Sequence, residues 1–483
     1  MPGPSAQNLI MNQHRISSVL SVFLMSLCAL SARQALADEV IRDQTLHVSM
    51  GGHEVGTTRA RDVRTANGYR FERQSDLRLR RGQLKLAIQT KTVAYTDAKL
   101  RPLRYEFEKK DAAGVMRSTG TIRGQSLILQ TSQDDGKTRN EIAIPTDVIF
   151  ATAFEHLVRE NLKDRYALRR NVILEEMGAS IPMETEVAAK PFGYLLKSRF
   201  AGIETMERVD PQGMTLHSET PALNAIAYPV GTAPPAGIQS DAPDILAKTT
   251  WPAPKLPTSP KWVRYRIHTP DAQRFSVPED IRQKVVARSD EWLDIAVNDG
   301  PSTTSPISKK GFKTYTEATP YEAIHDDRLV KVARRETKGL TSTREKIDAL
   351  VDFVYQHVDE KALDRGYAPA LSTLDSRRGD CTEHSVLLSA LLRAIDIPTR
   401  LVDGVVVGGG RAGYHEWVEV FVDGTGFIPA DPTFGEFPAS PARLKLAEGS
   451  SSPEGMLRLS LAAGRLLRPG VKVEVVDAGT KAQ

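Results

Sequence analysis

Cysteine is scarce in this chain: 483 residues hold two, Cys28 and Cys381. That scarcity excludes a disulfide-stapled scaffold and a zinc site built on several thiolates. No block of lysine and arginine stands out, so nucleic acid is excluded as a partner. Beyond the N-terminal segment, no apolar run approaches the ~20 residues a helix needs to cross a bilayer. There is no internal repeat. His47, His53, His156 and His217 are scattered without ligand-like spacing, and no EF-hand-type loop occurs. The sequence therefore calls for no cofactor or metal, and it leaves calcium open. What is present is an ordinary globular composition, 40% hydrophobic and 26% charged, in a chain long enough for two or three cores.

The N-terminus reads as an export signal. His14 and Arg15 form a short basic flank, Ile16–Leu30 an apolar run, and Ala35-Leu36-Ala37 a small-x-small cleavage pattern. The run is short for a membrane anchor and is broken by serines. Cleavage of residues 1–37 is therefore expected, with the protein periplasmic or secreted and without a stable membrane span afterwards. Cleavage removes Arg15 and Arg33 and no acid, leaving 62 basic against 60 acidic residues. It also removes Cys28. An exported chain is then left with one thiol, which is buried and inert, paired with another molecule, or kept for its reactivity.

From Val40 to about Ile144, apolar and polar residues alternate, as in Leu77-Arg78-Leu79-Arg80, with turn signals at Asn67-Gly68, Arg81-Gly82 and Asp135-Gly136. This predicts an antiparallel meander with one wet face. Helical spacing follows near 147–165, then short strands at Arg170–Leu174, Leu195–Phe200 and Met214–His217. Pro229–Pro260 holds eight prolines and reads as a linker or surface excursion. From Ser342, capping-box spacing with Glu345 opens a helix, and a second helical run begins at Cys381 and stops at Pro398. Strands are expected over Leu401–Val407 and from His415 to Val422, with a short one reaching Asp431. The expected organisation is a signal over 1–37, a β-rich domain over 38–228, a Pro-rich linker over 229–260, a connecting α/β segment over 261–340, a catalytic domain over 341–450 and a tail over 451–483.

Cys381 stands at a helix start, where unpaired N–H groups and the dipole favour thiolate and can hold an oxyanion. Asp380 opposes this unless its carboxylate is occupied capping the helix. His415, placed by this reading at the opening of a strand after a glycine-rich turn, is a base for the thiol proton. Asp431, near the end of a neighbouring strand, can fix the imidazole tautomer. A lone cysteine in a helical run is ordinarily a small core residue; the nucleophile, base and orienter in this order reverse that preference.

Gly-Asp-Cys-Thr-Glu-His at 379–384, Leu-Leu-Arg-Ala-Ile-Asp-Ile-Pro-Thr-Arg at 391–400, His-Glu-Trp-Val-Glu-Val at 415–420 and Asp-Pro-Thr-Phe-Gly at 431–435 resemble the bacterial transglutaminase-like family over roughly residues 340–450. The resemblance implies an α+β, papain-like core at the C-terminal end, with Cys381, His415 and Asp431 on the nucleophile, base and orienter positions. Asp396 replaces the usual glycine before Ile-Pro, and Phe427 a frequent tryptophan. Acyl transfer through a thioester follows, on a protein or peptide substrate for which the cell envelope is the nearest source. With water as acceptor the enzyme is a peptidase or amidase, the direction favoured by family analogy. With an amine it is a cross-linking transglutaminase, and a binding or assembly scaffold is the reading outside enzymes. Trp417, two residues from His415 on one strand face, and His384, one turn from Cys381, are candidate substrate-pocket residues. Glu383 reads as a solvated helix residue, and Arg443-Leu444-Lys445-Leu446 as a terminal structural segment. Tyr355, Gln356 and Tyr367 are undifferentiated oxyanion candidates. Oligomeric state is not legible.

Overall fold

A computed structural model describes residues 38–481 apart from 113, 134–135, 201–202, 271, 304–305 and 363–366. The expected export signal and Cys28 lie outside the described residues.

The N-terminal part is one long antiparallel meander. Strand Glu39–Met50 pairs on one side with His53–Thr65, and from there each strand pairs with the next in sequence out to Gly136–Ala143. On its other side it pairs with Ala225–Pro229, from which the sheet steps back through the chain to Tyr166–Leu174. A final two-residue strand, Ile149–Phe150, adds in parallel. So many twisted strands cannot stay flat, and the sheet curls around helix Ala151–Glu160. Phe154 and Val158 of that helix pack with Leu168, Val187, Leu196 and Val209, while Ala153 and the preceding Phe150 pack with Phe71, Tyr105 and Leu127. The helix is thus the filling of the curl, and two-residue alternation supplied its apolar lining.

The C-terminal part has a single apolar cluster running from Trp251 to Val473. Helix Thr343–His357 opens with both bonds of a Ser342/Glu345 capping box and buries Ile347, Leu350, Val351 and Val354. Helix Cys381–Arg393, the cysteine helix, is buried along its whole length. It lies on a sheet ordered Thr250–Pro252, Arg411–Val422, Thr399–Gly408, Arg443–Gly449, with Gly426–Ala430 also pairing Arg411–Val422. A second sheet orders Gln283–Arg288, Trp292–Asn298, Trp262–His268 and Lys472–Gly479.

Two expectations need correction. Residues 451–483, read as a tail, carry helix Pro453–Leu466 and strand Lys472–Gly479. Met456, Leu459, Ala462 and Leu466 are buried in the main cluster, so the apolar face of this helix completes the core. The Pro-rich stretch is not a free linker either. Asp244 caps a one-turn helix, Ile245–Lys248, and Thr250–Pro252 then pairs with Arg411–Gly413 at the sheet edge, an edge position that tolerates Pro252.

Candidate active site

Asp380 makes the start of the cysteine helix. Its carboxylate accepts from the Thr382 N–H at 2.8 Å and from Glu383's, while Glu383 Oε2 accepts the Asp380 N–H at 2.9 Å. The cap therefore takes the Thr382 and Glu383 donors and leaves the Cys381 N–H outside it. Glu383 is not solvated as its polarity suggested. It is fully buried and also accepts from the Ala368 N–H at 3.0 Å, and burial raises its carboxyl to about 7. At the other end of the helix Asp396 adopts φ +62°, a left-handed conformation in which glycine carries no Cβ cost.

His415 sits in the interior of strand Arg411–Val422 rather than opening it. The glycine-rich turn comes earlier: Gly408 pairs with Arg411, and Gly409 and Gly410 both have positive φ, 57° and 78°, the requirement of a two-residue turn that follows the sheet twist. Strand Gly426–Ala430 runs back along Val418–Val422, so Asp431, one residue beyond Ala430, falls opposite Trp417 and diagonally next to His415, which shares that face. His415 Nε2 and Asp431 Oδ2 are 2.8 Å apart. A carboxylate accepts, so Nε2 carries the hydrogen and Nδ1 is left as the acceptor for a proton.

Asp431 has two further partners. Its Oδ1 accepts from the Thr433 N–H at 3.0 Å, and Arg443 Nε donates to Oδ2 at 2.6 Å. Burial pushes this carboxyl up, but His415 and Arg443 outweigh it and hold it well below the usual carboxylate range. Arg443 was read as structural. The signal that marks it is its alternation with Lys445, which puts two cations on one strand face; Lys445 Nζ meets Glu419 at 3.1 Å and Glu448 at 2.7 Å.

Cys381 is buried, and the backbone N–H of Glu416, next to His415, lies where it favours the thiolate. The Ser385 hydroxyl donates to the Glu416 carbonyl at 3.1 Å, fixing helix to strand. The expected drift toward thiolate is reversed. Burial pushes the thiol well above an ordinary cysteine's range, Asp380 and Glu416 add to that, and Arg81 and the Glu416 N–H pull against it. Desolvation disfavours the charged form more than a helix start favours it. Cys381 thus rests as a neutral thiol, and ionisation requires a proton acceptor at hand.

The candidate pocket residues take different places. Trp417 is buried and stacks on His415 with centroids 6.2 Å apart at 20°; it leans over Gly404, where a Cβ would come within 2.7 Å of the indole. His384 is fully buried. Its Nδ1 meets the Asp380 carbonyl at 2.5 Å and its Nε2 meets Lys361 Nζ at 2.8 Å, and burial lowers it to about 4. It is a neutral brace for the helix start. Phe434, half exposed, meets the His415 ring in an edge-type contact with centroids 5.3 Å apart. Of the oxyanion candidates, Tyr355 and Gln356 are exposed, and the Tyr367 hydroxyl donates to Glu416. Among the described residues, no group of three His, Cys, Asp or Glu side chains has a metal-holding arrangement, and no helix is long and apolar enough to cross a membrane.

The family model described as the transglutaminase-like superfamily matches residues 330–432, a stretch containing Cys381, His415 and Asp431. No curated protein matches the chain. Among solved structures, the chain is similar to a "Putative Cysteine Protease" from Cytophaga hutchinsonii at 16% identity, covering 48% of this chain and 90% of that one with a TM-score of 0.32. It is similar to a beta-barrel-like protein from Brucella abortus at 10% identity, covering 39% and 94%, TM-score 0.29. A "Putative Protease" from Parabacteroides distasonis matches at 12% identity over 71% and 68%, TM-score 0.21. Likenesses of this size leave the chemistry to the chain's own residues.

Proposed function

With a transglutaminase-like domain over residues 330–432 as the premise, we propose that this protein is a thiol-dependent acyl-transfer enzyme acting on amide bonds of proteins or peptides, with water as the acceptor. Its core is papain-like, a cysteine-bearing helix packed on an antiparallel sheet. Cys381 is the nucleophile, His415 the base and Asp431 the orienter. The observation that carries the reading is the His415–Asp431 bond at 2.8 Å, which leaves Nδ1 free on a strand whose next residue, Glu416, is tied to the cysteine helix through the Ser385 hydroxyl.

In the first step the thiol proton passes to His415 Nδ1 as sulfur attacks the amide carbon. The Cys381 N–H, left outside the cap, donates to the developing oxyanion. The C–N bond breaks, the amine takes the proton from His415, and a thioester remains. Water, deprotonated by the same nitrogen, then releases the acid. Because the resting thiol is neutral, the base acts during attack rather than beforehand. We also propose that the protein is exported, which N-terminal sequencing of the secreted form tests by finding Asp38 first.

The enzyme reading is tested with the full chain, a glutamine-bearing protein and a labelled amine. New amino termini or ammonia without label, absent in Cys381→Ala, support hydrolysis. Label incorporation assigns the acceptor role to amines instead. Alkylation of Cys381 that is unaffected by His415→Ala overturns the nucleophile–base pairing.

A further inference from the structure

The tip of one hairpin of the N-terminal sheet reaches the cysteine helix. Strand Gly68–Arg81 turns at Gly82, φ +64°, into Leu84–Asp97. At that tip the Arg81 guanidinium bonds Asp380 Oδ2 across 299 residues of sequence. Both side chains are largely enclosed, 16% exposed for Arg81 and 6% for Asp380. The tip is held from behind by the Pro-rich strap. The Arg80 N–H donates to the Pro243 carbonyl and its Nε to the Ala242 carbonyl, both at 2.9 Å, and the Gly82 N–H donates to Asp244 Oδ1 at 3.0 Å. A few residues later the same strap pairs with Arg411–Gly413, on the strand that carries His415. One short segment therefore fixes Arg81 and the base relative to each other.

The charged and titratable groups acting on the thiol are Asp380 from its own helix, Tyr414 and Glu416 from the strand, and Arg81 from the hairpin; Glu383 and His384 follow it on the helix and His415 stands between Tyr414 and Glu416 on the strand. His384 is neutral at physiological pH, lowered by burial to about 4. Burial raises Glu416 well above the carboxylate range and Glu383 to about 7, so burial favours the neutral form of both. Asp380 stays ionised: burial opposes this, and Arg81 with the cap bonds outweighs it. The lasting charges beside Cys381 are thus one carboxylate and the guanidinium paired with it.

We propose that Arg81 is a positioning residue of the thiol site, delivered by the N-terminal sheet: by pairing with Asp380 it cancels the negative charge beside Cys381, so that the S–H bond can break with its proton going to His415 and its electron pair staying on sulfur. This rests on the reading of Cys381 as nucleophile. It gives the N-terminal sheet a part in the chemistry of a domain it does not belong to.

The test is the rate of iodoacetamide alkylation of Cys381 in the full chain from pH 6 to 11, read by mass spectrometry of the Cys381 peptide so that Cys28 does not interfere. Arg81→Gln is expected to move the inflection up by about one unit and to slow alkylation at pH 7.5 about tenfold. Arg81→Lys stays within about threefold of the parent, and so does the double variant Arg81→Gln with Asp380→Asn, which removes the ion pair whole. An Arg81→Gln profile that superimposes on the parent overturns the proposal. Faster alkylation at every pH also overturns it, because the hairpin would then be only a cover. Should Arg81→Gln fail to fold, Asp380→Asn alone must lower the inflection, and no shift there is likewise fatal. Independence from His415 in the parent protein would instead defeat the nucleophile reading, whatever Arg81 does.

Discussion

At the residue scale, Asp431 serves two partners at once, and its replacement separates them. Asp431→Asn keeps the size but removes the charge that fixes the His415 tautomer. Amide hydrolysis should fall by about 10²- to 10⁴-fold with little change in substrate affinity, and a loss below tenfold removes Asp431 from the orienter role. The same change takes one of the two acidic partners from the buried Arg443 and leaves it Glu436 at 2.8 Å. Because the native carboxyl is held below its unfolded value, its contribution to stability is in place above about pH 4 and fades as pH falls further. The stability gap between parent and variant, read from urea melts, should therefore be wide at pH 7 and narrow toward pH 3. Gly404→Ala is a different kind of lesion. A Cβ there lies 2.0 Å from the Leu444 carbonyl and 2.7 Å from the Trp417 indole. The carbonyl belongs to the paired strand and cannot retreat, so a cost of about 2–4 kcal/mol is expected in the same melts. A neutral result would show that the strand pair is more compliant than this. The His415–Asp431 pairing was legible because the types and order of these residues suggested it. Glu383 and Arg443 were not, because a buried carboxylate and a buried guanidinium look like surface residues until their partners, supplied by distant segments, are known.

At the scale of elements, local periodicity was legible and closure was not. Alternation marked the N-terminal strands and 3.6-residue spacing marked helices Ala151–Glu160 and Thr343–His357, since both patterns follow from which face is wet. Nothing local says that Glu39–Met50 pairs with Ala225–Pro229, or that the sheet curls around its one long helix. That helix shows how such closure is held. Its N-cap, Phe150, has no side chain to offer, and Glu175, from the turn after strand Tyr166–Leu174, supplies the missing acceptor. Its Oε1 takes the Thr152 N–H at 3.2 Å and the Thr152 hydroxyl at 2.6 Å. Burial raises Glu175 to about 7, so the folded protein prefers it protonated. The associated stability is complete below the unfolded value near 4.3 and is lost as pH rises through 7. Glu175→Gln retains the acceptor oxygen and cannot ionise. Its melting temperature should match the parent's near pH 4 and exceed it at pH 8.5. A gap that does not change with pH would mean that Glu175 is not the group titrating.

At the scale of the whole molecule, the two parts are coupled through the strap that prolines had marked as a spacer. Proline content reports what cannot pair in the middle of a sheet, and it is silent about edge pairing and side-chain caps. Asp244 is the pivot. Its Oδ1 accepts from the Leu246 N–H at 3.0 Å, the Ala247 N–H at 3.2 Å and the Gly82 N–H at 3.0 Å, so one carboxylate caps the strap helix and ties down the hairpin tip. Losing such a cap costs about 1 kcal/mol, a small fraction of the stability of a core as continuous as the one from Trp251 to Val473. The effect of Asp244→Ala should therefore be local opening and not global unfolding. Hydrogen exchange should quicken at residues 80–84 and at Tyr414, whose N–H bonds the Thr249 carbonyl at 3.1 Å. Strands Thr399–Gly408 and Ala179–Lys190 should keep their protection. If protection instead falls evenly through both parts, the chain unfolds as one unit and the strap is no hinge. If exchange quickens at 80–84 but Tyr414 is unmoved, the hairpin is tethered independently of the strand bearing His415. The strap would then hold Arg81 in place without linking it to the base.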